Sequence, residues 1–245
     1  MKGAAVALCL ALWIPSLASD PPAITLHLDQ DQIHVTAGYR GKLVRVWGKA
    51  PPDGQVVVNL RASREDVSLP LKGKRGPFWL TVGKVLFESV PSVYMVKATD
   101  PVEEILTPDQ QNAHRLGVRG LSNSLGVRGG GDRDLLVGEL IRMKRDEGLY
   151  RFDPAGVKRS PEGGYETSFF WPARAPSGRY VVEAFAVKGG RVVASAESQV
   201  LVHKVGLEAL ISDLAERHGI LYGLLAVLIA IATGTLAGKL FHLKS

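Results

Sequence analysis

The stretch that most limits what this chain can become lies near its end. From Gly219 to Gly238 the sequence runs for twenty residues without a charge. At about 1.5 Å per helical residue, such a run matches a hydrocarbon core of about 30 Å and reads as a membrane-spanning helix. Within it Ala226, Ala230, Gly234 and Gly238 fall four apart, on one side of that helix. In lipid, apolar surface alone does not drive helices together, whereas close backbone approach across small residues does. The row is therefore the candidate helix interface, and its partner must itself cross the membrane, as a second copy or as another protein.

The other end carries a second apolar run, "MKGAAVALCLALWIPSLASD". Lys2 supplies a positive start, Gly3 to Ile14 an apolar centre, Pro15 a break, and Ser16-Leu17-Ala18 the small residues of a cleavage site. Residues 1–18 thus read as a secretory signal peptide, too short to span comfortably. The only cysteine, Cys9, lies inside it. A mature chain without cysteine has no disulfide, no thiol nucleophile and no cysteine metal site. With the N-terminus exported, Lys239, His242 and Lys244 fall on the cytoplasmic side, in agreement with the positive-inside rule. The expected order is an exported domain over 19–205, a juxtamembrane segment over 206–218, a spanning helix over 219–241 and a tail over 242–245. In "GLEALISDLAERHG", Leu207, Leu210, Ile211 and Leu214 follow helical spacing, so the juxtamembrane segment is expected to be an amphipathic helix.

Between the two runs the text is strand-like: "AITLHLD", "QIHVTAG", "KLVRVWGK", "QVVVNLRAS", "FWLTVGKVLFESV" and "SVYMVKAT". Short runs rich in Val, Ile, Leu and aromatics, parted by Gly, Pro, Asp or Asn, are the mark of antiparallel sheet proteins. Pro101 changes the character. In "TPDQQNAHRLG", Thr107, Pro108 and Gln110 form a capping-box pattern with Gly117 as the stop. A glycine-rich stretch, "RGLSNSLGVRGGGD", follows, whose end "GVRGGGD" reads as a flexible loop. A helix is then expected from Asp132 or Asp134 to about Glu147, with Leu136, Leu140 and Met143 on one face and Gly148 as its cap. From Leu149 strands resume, with a hairpin turn at Gly189-Gly190. The expected fold is mainly β: an immunoglobulin-like sandwich with a helical insertion over about 101–147, or alternatively two small β units joined by helices.

Chemistry is sparse. The chain carries a formal charge of +6, with ten Lys/Arg against three Asp/Glu between Arg40 and Lys84. Those cations are spread singly along strands without interleaved aromatics, and an exported domain meets no nucleic acid, so none is expected as a partner. The six histidines make no HxH or HExxH, although His27 and His34 could meet across a hairpin. "GVRGGGD" lacks the Gly-Lys-Ser/Thr ending of a phosphate loop, and GxSxG and SxxK are absent. The expectation is no cofactor, no metal and no catalysis. One stretch suits a small anion, "LKGKRGPFW", with Lys72, Lys74 and Arg75 as its candidate ligands.

At "VPSVYMVKATDPVEEIL" the sequence resembles a family of transmembrane proteins named from the Alphaproteobacteria (Alph-Pro-TM). The resemblance continues through "FFWPARAPSGRYVVEAFAVKGGRVVAS", through Lys204, Gly206, Leu207 and Glu208 before the membrane, and into Leu221-Tyr222-Gly223. Thr235 departs from it, standing where many members carry Trp. The resemblance brings no activity, cofactor or catalytic residue. It implies a bacterial inner-membrane protein with a periplasmic domain and a cytoplasmic C-terminus, accessory to a permease of the sulfite-exporter type. The alternative is a tethered periplasmic module that binds a small ligand or anion.

Overall fold

A computed structural model describes residues 23–36, 39–205, 211 and 214–242. The expected signal peptide 1–18, residues 206–210 of the juxtamembrane helix and residues 243–245 of the tail lie outside the described residues.

The chain is mainly β with one C-terminal apolar helix. In chain order it forms β1 (His27–Leu28), β2 (Gln32–Val35), β3 (Lys42–Lys49), β4 (Gln55–Ala62), β5 (Arg64–Arg75), β6 (Phe78–Pro91) and β7 (Tyr94–Ala98). Then come α1 (Val102–Ile105), α2 (Pro108–His114), α3 (Gly117–Ser124), β8 (Gly126–Arg128) and α4 (Arg133–Asp146). The strands β9 (Tyr150–Asp153), β10 (Lys158–Arg159), β11 (Gly164–Trp171), β12 (Gly178–Lys188) and β13 (Arg191–Lys204) precede the last helix, α5 (Gly219–His242).

A six-stranded sheet, β2-β13-β12-β4-β7-β9, is the centre. Its middle strand β4 is buried on both faces from Val56 to Leu60, which accounts for the near-continuous apolar run "VVVNL". One face, with Val58, Leu60, Tyr180, Val182 and Ala184, meets the four-stranded sheet β1-β3-β11-β10. Trp171 of that sheet packs edge-on against Tyr180, ring centres 4.8 Å apart, and Lys97 reaches over Phe169. In β3 Val44 and Val46 lie inside and Leu43 and Trp47 outside; Arg45 pairs with Glu166 at 3.3 Å. The other face, with Val57, Val96, Glu183 and Phe185, lies under the helices, where His114 packs 5.4 Å from Phe185. A third sheet, β5-β6-β8, is built on one long hairpin.

Several local expectations are altered. Two pairings are parallel, β2 with β13 and β7 with β9. Parallel neighbours require a crossover of a dozen or more residues, so the segment read as an insertion is the connection that returns the chain from β7 to β9. Nor is it wholly helical, because β8 leaves the helices to pair with β6. Of "GVRGGGD", read as a loop, Gly126–Arg128 are therefore the strand β8, and the residues before it belong to α3, which packs so closely on α2 that a Cβ at Gly120 would lie 2.2 Å from the Gln111 carbonyl oxygen. The stop of α2 is Arg115, a non-glycine residue in the left-handed region at φ 56°, and Gly117 instead opens α3.

The capping box is half made. Thr107 accepts from the Gln110 N–H, but the Gln110 side chain turns away to accept from Val192 N–H at 3.0 Å, tying the helix to β13. Thr107 N–H donates instead to the Gly190 carbonyl. Helix α4 starts as expected, with Asp132 accepting from Asp134 and Leu135 N–H. Its buried stripe is Val137, Leu140, Ile141 and Lys144, rotated from the expected one, which leaves Leu136 and Met143 half-exposed beside the long hairpin. The turn at Gly189-Gly190 is present with φ of 59° and 79°, the backbone that a tight hairpin requires and glycine supplies cheaply.

Candidate functional site

Three features of the molecule are candidates for function. The first is α5. Its stretch Gly219–Leu236 is apolar enough to cross a membrane, with a mean hydropathy of 2.1, and none of it is buried by the protein. Its threonine hydroxyls are satisfied within the helix: Thr233 donates to the Ile229 carbonyl at 2.8 Å and Thr235 to that of Ala232 at 3.0 Å. That is what lipid demands of a polar side chain on a spanning helix. Ala226, Ala230 and Gly234 are all exposed along it, and Gly238 continues the row within the same helix. The helical path also reaches back across His218, whose N–H donates to Leu214 O, while Tyr222 N–H donates to His218 O, both at 3.0 Å.

The second feature is the far half of the β5–β6 hairpin. Lys72 pairs with Thr81, Lys74 with Trp79 and Arg75 with Phe78. Strand alternation therefore puts Lys72 and Lys74 on one face of the arm. The apolar residues are more notable. Phe78, Leu80 and Val82 are 66, 53 and 44 % exposed, a run of bare apolar side chains near the turn. At its base the hairpin closes a groove of ≈ 590 Å³ against α4, between Leu69, Leu71, Val85, Leu136 and Met143.

The third feature was not read from the sequence. On the helix-covered face of the six-stranded sheet, a polar cavity of ≈ 260 Å³ is lined by Asn59, Arg61, Arg64, Arg115 and Glu183, among others. Arg61 grips Glu183 with two hydrogen bonds, Nε to Oε2 at 2.9 Å and Nη2 to Oε1 at 3.0 Å. That contact holds the Arg61 guanidinium above its ordinary pKa. Asn59 is 1 % exposed, and its Nδ2 donates to Glu183 Oε2 at 3.3 Å. Its Oδ1 has no hydrogen-bond partner. Arg64 and Arg115 have no ion-pair partner among the described residues. Burial first, then the positive charges of Arg115 and Arg61, push the Arg64 guanidinium below the usual arginine range. Tyr94 fixes the left-handed Arg115 from beneath, its hydroxyl donating to the Arg115 carbonyl at 2.7 Å. The available signal was "VVVNLRA", where a polar residue interrupts the strand buried on both faces.

The histidines are rearranged relative to expectation. His27 stacks on Trp47 and His34 lies beside His203 across the parallel pair, so His27 and His34 do not meet. Among the described residues no group of three or more His, Cys, Asp or Glu side chains is placed to hold a metal ion.

Among the described residues a β-rich domain is followed by one bare apolar helix, the plan of a membrane-anchored protein. Residues 23–242 match the family described as "Putative transmembrane protein (Alph_Pro_TM)", and the chain belongs to that family. No curated protein matches the sequence. Among solved structures, the sporulation control protein Spo0M from Bacillus subtilis is similar at a TM-score of 0.29 and 10 % identity, over 80 % of this chain and 55 % of that one.

Proposed function

We propose that the protein is a membrane-anchored, non-catalytic interaction module whose partner is another membrane protein, in keeping with an accessory role beside a permease of the sulfite-exporter type. The observation that carries this reading is α5, an apolar helix none of whose spanning stretch is buried by its own domain. Lipid can cover such a surface, but the four-residue row of small side chains favours a second helix at close range. The exposed apolar end of the β5–β6 arm supports a further contact outside the membrane, since bare apolar patches mark interaction surfaces.

In this reading the two facing sheets form an immunoglobulin-like sandwich, with the helices as an added layer on one side. The signal peptide exports it to the periplasm, and Lys239 and Lys244 keep the C-terminus in the cytoplasm of a bacterial inner membrane. The reading is tested by Gly234→Leu with Gly238→Leu in the full-length chain. Two bulky side chains on the row hold a neighbouring backbone away, so detergent-stable association is expected to fall about tenfold or more. Association that survives the double substitution undiminished would reduce the row to mere composition.

A further inference from the structure

We propose that the cavity between Asn59, Arg61, Arg64 and Arg115 binds a small oxyanion that carries its own hydrogen-bond donor, of which hydrogenphosphate is the simplest. This goes beyond a membrane-partner role and rests on different residues.

The charge balance comes first. Of the cavity's guanidiniums only that of Arg61 is neutralised, because Glu183 spends both oxygens on it and one of them also on Asn59. Arg64 is half-buried and Arg115 stands at the solvent side, so two cations converge on a space of ≈ 260 Å³ with no counter-charge of their own. Arginine presents a planar fork that matches a tetrahedral or planar oxyanion with paired hydrogen bonds. A space of ≈ 260 Å³ admits a phosphate-sized anion.

Asn59 supplies the selectivity. Its orientation is fixed, because turning the amide would aim Oδ1 at the Glu183 carboxylate, acceptor against acceptor. The buried Oδ1 is thus left as an acceptor with nothing to accept. An unpaired buried acceptor costs free energy, and a ligand O–H or N–H recovers it once a small shift of the neighbouring side chains opens Oδ1, closed to water as it stands, to the cavity. A fully deprotonated oxyanion such as sulfate satisfies the arginines and leaves Asn59 unpaired. Hydrogenphosphate, or a phosphomonoester in its protonated form, satisfies both. Arg115 occupies the left-handed position that ends α2, and the Tyr94 hydroxyl bond to its carbonyl fixes the backbone from which its side chain extends.

The test uses the full-length protein in detergent, titrated with inorganic phosphate and separately with sulfate at matched ionic strength, reading the thermal unfolding midpoint. Phosphate is expected to raise the midpoint saturably, with sulfate about tenfold or more weaker. Arg64→Gln and Arg115→Gln, each checked for an unchanged midpoint without ligand, are expected to weaken phosphate by about tenfold or more. Lys72→Gln with Lys74→Gln on the arm is expected to leave phosphate binding as it was. A midpoint that does not respond to phosphate, or responds equally to sulfate, overturns the proposal. So does a phosphate response that survives both arginine substitutions or disappears with the arm lysines.

Discussion

Raising the pH above about 10 is expected to unfold the domain in one steep step. Four buried tyrosines cause this. Tyr94, Tyr150, Tyr165 and Tyr180 are each 3 % exposed or less. Each hydroxyl donates to a backbone carbonyl at 2.6 to 2.7 Å: those of Arg115, Pro91, Thr25 and Pro176. Burial pushes all four above the ordinary tyrosine pKa, because a phenolate there would lose both its water and its acceptor partner. The sign follows directly. Past the unfolded value of about 10, the unfolded chain gives up protons that the folded chain keeps, so stability is whole below that pH and falls above it. Each group contributes a slope of about 1.4 kcal/mol per pH unit, and the four together about 5. Tyrosinate absorbance and loss of the circular-dichroism signal should therefore rise together and sharply. A gradual tyrosinate titration centred near the ordinary value, with the fold intact, would show that these hydroxyls are not locked.

Trp171→Ala is expected to cost about 3–5 kcal/mol, the range for removing a fully buried aromatic side chain. Trp171 is 1 % exposed at the end of β11 and is the contact through which the four-stranded sheet meets Tyr180 of the larger one. Its neighbour Phe170, 40 % exposed, points the other way. Phe170→Ala is expected to cost a small fraction as much. The pair separates the two faces of one strand, read by urea unfolding of full-length protein in detergent. Equal losses at both positions would mean that β11 is not seated with Trp171 toward the second sheet.

How far the sequence shows this architecture depends on the range of the interaction involved. Local chemistry was legible: the Thr107 and Asp132 caps, the Gly189-Gly190 turn and the uncharged run of α5 each follow from neighbouring residues. The parallel pairing of β7 with β9 was not, since nothing in either strand records that helices lie between them as a crossover. Gln110 illustrates the same limit. Its spacing from Thr107 fits a capping box, yet a backbone N–H eighty-two residues away at Val192 takes its side chain. The candidate site divides similarly. The row on α5 can be read from spacing alone. Lys72, Lys74 and Arg75 stand together in the sequence and are found by eye, while Arg115 and Glu183 are far from Asn59 and Arg64 in the chain and meet them only in the fold.

The central claim, a membrane-protein partner packed on the small-residue row, is best tested in the native membrane. A photo-crosslinking amino acid is placed at Ala230 and, in a parallel chain, at Ala232, about 200° around the helix. The account predicts a discrete protein adduct from position 230 and lipid adducts alone from position 232. Lipid adducts alone from both, or the same protein adduct from both, would contradict it.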